Sequence, residues 1–251
     1  MNDQKEKSLE KRLFLVNSGS VMENIKLNER LMTAVSFARR GCCFADVGTD
    51  HAYLPIYLVQ CAIAERSVAS DINEGPLARA EENIEKYGLS SVIKTSLCDG
   101  LSGIEKYSPD DIAVFGMGGE LIVKIIDEAE WLKDRSKKIR LILQPMTHPE
   151  KVREYLAENG FNIVGEELSL DRGKIYQTVC AEYDGVKRNF DDVTLMLGEH
   201  NINKKDDLLF DLAKRVRGQA EKRLRGKESG GDDARAEQEL IRAITYILED
   251  L

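Results

Sequence analysis

The stretch "FADVGTDHAYLP", Phe44 to Pro55, decides how this chain is read. A short apolar run ends in an acid, and a glycine follows two residues later. That is the outline of a strand turning into a helix over a nucleotide. A dinucleotide loop would go on to supply more glycines, so that backbone amides could approach a pyrophosphate. Here the loop carries Asp50 and His51 instead. A carboxylate repels a phosphate, so the loop suits a ligand that has none.

Outward from this turn, apolar runs alternate with helical patterns from about residue 40 to 183. "CCFADV" reads as a strand and "AYLPIYLVQCAI" as a helix with Pro55 in its first turn. "RSVASD" is a second strand. Asn73 is placed to cap "EGPLARAEENIEKY", and Gly88 to stop it. "VIKTSLCDG", "DIAVFGMGG" and "IRLILQP" are further strands, with a helix from Glu120 to Leu132 between the last two. Thr147 and Glu150 have capping-box spacing at the start of "EKVREYLAEN". "FNIVGEELSLDRGKIYQTVCAEY" holds two or three closing strands, one pair antiparallel. Asn24 to Arg40 reads as a helix packed on the sheet. The fold class predicted is α/β, a doubly wound and mostly parallel Rossmann-like sheet. After Asn189 the pattern changes. "DDLLFDLAKRVRGQAEKRL" and "ARAEQELIRAITYIL" repeat apolar residues at helical spacing, and "GKESGGDD" between them is a polar turn. The domains expected are residues 22–186 for the sheet and 187–251 for a helical, coiled-coil-like part. Residues 1–21 read as a disordered extension, with Met22 as an alternative start.

The composition is that of a globular protein, with 42% hydrophobic and 32% charged residues. No run approaches the roughly 18 apolar residues that cross a bilayer, so no membrane association is expected. The N-terminus has no secretory pattern. Cys42, Cys43, Cys61, Cys98 and Cys180 show no metal-type spacing and read as buried thiols of a cytoplasmic protein. No metal is expected. The net charge is −8, yet Leu212 to Lys227 holds seven bases and one acid, a local +6 that leaves −14 for the rest. The chain thus pairs an acidic region with one basic stripe.

Each strong polar signal falls just after a strand: Asp46 and Gly48, Asp71, Asp99 and Gly100, Gly116 to Gly119, then Pro145 to His148. An acidic rim of this kind favours a ligand that is cationic and rich in hydroxyl donors. S-adenosylmethionine meets both demands, with a sulfonium, an ammonium and a ribose diol but no phosphate. Asp71 lies 23 residues after Gly48, a separation suited to an acid that accepts from both ribose hydroxyls. Asp99 is placed to accept from the adenine amino group. The "GMGG" turn, with Met117 bordering the pocket, leaves backbone exposed to the methionine end. Thr49 and Ile72 complete the expected cofactor contacts. A GxGxxG fingerprint is absent, which disfavours a nicotinamide or flavin oxidoreductase.

"ADVGTDHAYLPIYL", "SDINEGPLARAEENI", "DGL", "FGMGGELI" and "LILQPMTHPEKVREYL" together resemble the bacterial tRNA (adenine-22)-N1-methyltransferase family. The resemblance covers Met22 to Tyr183, with "GTDHAYLP" and "QPMTHP" its distinctive pieces. It implies a class I methyltransferase domain, a C-terminal coiled-coil domain and methylation of N1 of adenosine 22 in the D-arm of tRNA. N1 of adenine carries an in-plane lone pair and needs no base before attack. Methylation leaves the ring cationic, so a nearby carboxylate would stabilise charge growing in the transition state, and Asp50 is the candidate. His51 is a candidate to bind the adenine or the cofactor carboxylate, or to cap the next helix. Tyr53 has the choice of stacking on the base or packing in the core. Gln144, Pro145 and His148 border the presumed base pocket, where His148 equally suits a structural turn. Enzymes that methylate exocyclic amines usually place Asn-Pro-Pro-aromatic after the fourth strand to accept from the amine. Glycines stand there instead, which favours a ring nitrogen. Lys214, Arg215, Arg217, Lys222, Arg223, Arg225 and Lys227 read as a phosphate-binding stripe for tRNA or as a solvated helix face. A monomer or weak homodimer is expected. The rival readings are a methyltransferase for another RNA site or a small molecule, and a non-catalytic S-adenosylmethionine-binding module.

Overall fold

The computed structural model describes residues 25–251. The expected extension of residues 1–21 lies outside the described residues. Among the described residues seven strands form one sheet: β1 Cys42–Val47, β2 Ala64–Asp71, β3 Ile93–Leu97, β4 Asp111–Gly118, β5 Arg140–Thr147, β6 Phe161–Asp171 and β7 Lys174–Tyr183, in the order β3-β2-β1-β4-β5-β7-β6. The chain divides into two compact units, one ending at Ala113 and the other beginning at Val114.

In the first unit β1 pairs with β2 and β2 with β3, all parallel. Every residue of β1 is buried, as a parallel strand covered on both faces requires. The helices are α1 Glu29–Phe37, α2 Tyr53–Gln60 and α3 Glu74–Lys86. Asn28 caps α1 through its side chain, which accepts from the Leu31 amide, so this helix is shorter than expected. Ala52 and Ile56 pack against Ala69, Ala80, Ile84 and Ile93. Asn73 does stand at the start of α3, but its side chain makes no cap. It donates to Asp71 instead.

In the second unit β7 is antiparallel to both β5 and β6. Its first helices are α4 Gly119–Asp127 and α5 Pro149–Glu158. Helix α4 is followed by a short 3-10 turn over Glu130–Lys133 in place of one helix to Leu132. The capping box before α5 does not form. His148, not Thr147, occupies the cap, with φ 55 and no side-chain cap bond. Two short helices that the sequence reading missed, α6 Asp192–Leu197 and α7 Glu199–Lys204, lead into α8 Asp207–Gly230 and α9 Arg235–Asp250. Helix α8 runs further than expected, through Gly226, and stops only where Gly231 turns left-handed. Leu209, Leu212, Ala213, Val216 and Ala220 of α8 pack with Leu240 and Ile244 of α9, with Leu197, and with Leu168 of β6.

Candidate active site

Strand β1 ends at Val47, and the chain turns at Gly48, with φ +79. The amides of Gly48 and Thr49 both donate to the Ser70 carbonyl, at 2.8 and 2.9 Å. In a phosphate-binding loop such amides would point at the ligand. Here they tie the loop to β2, which is why a carboxylate is tolerated beside them. The Thr49 hydroxyl accepts from the Ala52 amide at 3.1 Å and so supports the start of α2.

Asp46, Asp71 and Asp99 stand at or just past the carboxyl ends of three adjacent parallel strands. Asp46 is buried. Burial pushes its carboxyl from the ordinary 3.8 up to about 6; the Thr49 hydroxyl opposes the shift and the charge of Asp71 adds to it. No lysine or arginine pairs with Asp46 among the described residues. One oxygen of Asp71 accepts from the Asn73 amide at 2.7 Å and from its side chain at 3.2 Å. Its other oxygen is engaged by none of the described residues. Ile72 beside it is 59% exposed. Asp99 is exposed, and Gly100 after it takes φ 53. Cys98 turns its thiol towards the Gly100 carbonyl.

A raised carboxyl value means that the fold disfavours the ionised form. The resulting penalty is full above about pH 6 and fades as the pH falls towards 4, where the unfolded chain takes up the same proton. Asp46→Asn is therefore expected to raise the melting temperature of the ligand-free protein at pH 8. The gain, about 3 kcal/mol at one pK unit per 1.36 kcal/mol, should be lost by pH 4. An equal gain at both pH values would show that the asparagine acts through packing instead.

Asp50, His51 and Tyr53 come together. The Asp50 carboxylate contacts Arg79 at 2.5 Å and His51 at 3.2 Å. The rings of His51 and Tyr53 stack, 5.0 Å apart and inclined by 14°. Asn83 donates to the His51 carbonyl at 3.1 Å. Tyr53 is 41% exposed, so it is not a core residue. Arg79 and Asn83 were not singled out in the sequence. Their four-residue spacing puts both on one face of α3, but only the fold turns that face to the loop.

In the second unit the glycines of "GMGG" divide. Gly116 is exposed with φ +79, and Met117 is half-buried. A Cβ at Gly119 would collide with the carbonyl oxygen of His148 and lie 2.8 Å from that of Thr147. One at Gly118 would lie 3.2 Å from the Thr147 hydroxyl. The bare backbone of Gly119 is thus filled by the turn after β5. Gly119→Ala is expected to lower stability by about 1–3 kcal/mol through overpacking, read as a fall in melting temperature. An unchanged value would mean that the turn moves aside at no cost. Within β5, ahead of that turn, Gln144 and Pro145 are buried, and the Gln144 amide donates to the Pro145 carbonyl at 2.9 Å. His148 faces out, with its Nδ1 2.9 Å from Glu150.

The basic stripe also divides. The Arg217 guanidinium lies 3.5 Å from Glu221. Arg223 and Lys227 turn to Glu237 of α9, at 3.9 and 2.8 Å. Arg215 donates to the Ile175 carbonyl at 3.3 Å, and Lys214 lies over the Phe210 ring. Lys222 and Arg225 form no ion pair among the described residues. Lys214, Arg215, Lys222 and Arg225 are all exposed. Among the described residues no group of His, Cys, Asp or Glu could hold a metal, no helix is long and apolar enough to cross a membrane, and all five thiols are free.

A sheet of this order, with acids and no phosphate-binding amides at its strand ends, defines the class I methyltransferase fold, and a family model described as a methyltransferase domain matches residues 27–179. The tRNA (adenine(22)-N(1))-methyltransferase of Bacillus subtilis (strain 168) is 37% identical over 178 residues, covering 70% of this chain and 74% of that protein. Two solved structures are similar. The B. subtilis M1A22 tRNA methyltransferase TrmK is 29% identical, with TM-score 0.73 over 89% of this chain and 96% of that one. Sp1610 of Streptococcus pneumoniae, solved in complex with S-adenosyl-L-methionine, is 28% identical, with TM-score 0.76 over 89% of this chain and 100% of that one. The chain belongs to the tRNA (adenine(22)-N(1))-methyltransferase family.

Proposed function

We infer that this protein transfers the methyl group of S-adenosylmethionine to N1 of adenosine 22 in the D-arm of tRNA. The observation that carries the reading is the 37% identity to the B. subtilis enzyme of that activity. When bound, S-adenosylmethionine supplies an electrophilic methyl group on a cationic sulfur. The residues suit such a group. Asp46 is a buried carboxylate with no cation beside it among the described residues, Asp71 keeps one oxygen available for a diol, and the Gly48 and Thr49 amides are already engaged. Ile72 offers an exposed apolar surface for a flat ring.

The reaction asks mainly for orientation, because N1 is already nucleophilic. The stacked His51 and Tyr53 rings present a flat platform for an adenine, and Asp50 holds His51 in place. Arg79 fixes the Asp50 carboxylate in turn. A carboxylate at this position stabilises a base that gains positive charge. N1 lies on the pairing edge, so the base has to swing out at a cost of a few kcal/mol. Phosphate contacts from the outer face of α8 supply the compensating energy. In this reading residues 187–251 are the tRNA-binding arm, and the protein works in the cytoplasm, where tRNA is.

The test uses two unmodified tRNA transcripts and labelled S-adenosylmethionine. The transcript with adenosine at position 22 should accept label, and the same transcript with guanosine there should not. Equal labelling of the two would overturn the assignment.

A further inference from the structure

The segment that joins the sheet to the basic helix is held by a buried charge. Arg153, on the second turn of α5, is fully buried, and so is Glu166 on β6. The guanidinium makes three different bonds. Its Nε donates to Glu166 at 2.6 Å, one terminal nitrogen to the Leu195 carbonyl of α6 at 2.8 Å, and the other to Gln177 of β7 at 2.7 Å. The second Glu166 oxygen accepts from the His200 amide of α7 at 3.0 Å. The Glu166 carbonyl accepts from Lys204 at 2.5 Å. Gly198, between α6 and α7, has φ +87, and a Cβ there would strike the Glu166 carboxylate.

Stability alone does not account for this arrangement, because a buried ion pair is often matched by apolar residues of the same volume. A planar fork with three fixed acceptors does specify geometry, since it tolerates only one placement of them. One end of the clasp is α5, which starts directly after β5 and the cap residue His148. The other end is the α6–α7 segment, which leads into α8. We propose that Arg153 and Glu166 are positioning residues that set the basic helix relative to the end of β5 and the His148 turn, so that tRNA gripped by the arm is held in register for methyl transfer. The inference rests on the tRNA reading above.

A loosened clasp leaves the cations of α8 intact, so RNA is still gripped but seldom in register. The loss should therefore fall on kcat. Neutralising exposed cations should instead raise the tRNA KM. The variants are Glu166→Gln, Arg153→Lys and Gly198→Ala, graded in severity, and each is compared with wild type for S-adenosylmethionine affinity, tRNA KM and kcat. In variants that keep cofactor affinity within twofold, kcat should fall about 10- to 100-fold, as ångström-scale misplacement does, with the tRNA KM unchanged or lower. Wild-type kcat in such a variant would overturn the proposal, and so would a raised KM at unchanged kcat. If all three lose cofactor affinity, the clasp only supports the fold and the proposal fails. A wild-type protein inactive on tRNA would instead sink the functional reading.

Discussion

Replacing Asp71 with alanine is expected to weaken S-adenosylmethionine binding about a hundredfold. Asp71 sits at the carboxyl end of β2, where its orientation is fixed from behind by the Asn73 amide and side chain. Its second oxygen is left to accept from a ligand. Two hydroxyl donors on an ionised acceptor contribute about 1.5 kcal/mol each at the low end. The sum, about 3 kcal/mol, is a factor of about 100 in affinity. Asp71→Asn should fall between, because the amide keeps one acceptor oxygen. Asn73→Ala is the control, since it loosens the carboxylate without removing it. Calorimetry reads all three, and wild-type affinity in the alanine variant would remove Asp71 from the cofactor site.

Changing Lys214, Arg215, Lys222 and Arg225 together to glutamine should raise the tRNA KM up to about a thousandfold at physiological salt, because each lost phosphate contact gives up its counterion release. These four side chains project from the exposed side of α8, while Leu209, Leu212, Ala213, Val216 and Ala220 bury the opposite side. The logarithmic salt dependence should become shallower by roughly three to four, close to one unit per contact. Cofactor affinity and the thermal midpoint should not move. Arg217→Gln with Arg223→Gln is the comparison. These two are already turned to Glu221 and Glu237, so their loss should change the slope far less. Equal losses from both variants would mean that the ion pairs open on binding and that the division of the stripe has no consequence.

The alternation of strands and helices was legible because parallel strands buried on both faces, such as "CCFADV", write an unbroken apolar run. Asp46, Asp71 and Asp99 were legible because each falls where such a run stops. What could not be read depends on contacts between distant segments. Arg79 reaches Asp50 across 29 residues of sequence, and no local pattern marks the pair. Gly119 looked like an opening for a ligand, yet the space beside it belongs to His148 and Thr147. The Thr147–Glu150 spacing suggested a capping box, but the close approach to Gly119 leaves His148 in a left-handed conformation at the cap. Helices α6 and α7 are six residues each, too short for periodicity to stand out. No local pattern marks Arg153 either, since its burial follows from Glu166, Gln177 and Leu195 meeting it.

In the proposed reaction a ring nitrogen, not an exocyclic amine, attacks a cationic methyl donor held among carboxylates. Unmodified tRNA incubated with the protein and S-adenosylmethionine, then digested to nucleosides and resolved by mass and retention, reports that atom directly. The expected product is 1-methyladenosine, one per tRNA. N6-methyladenosine, or a methyl group on any other base, would contradict the account.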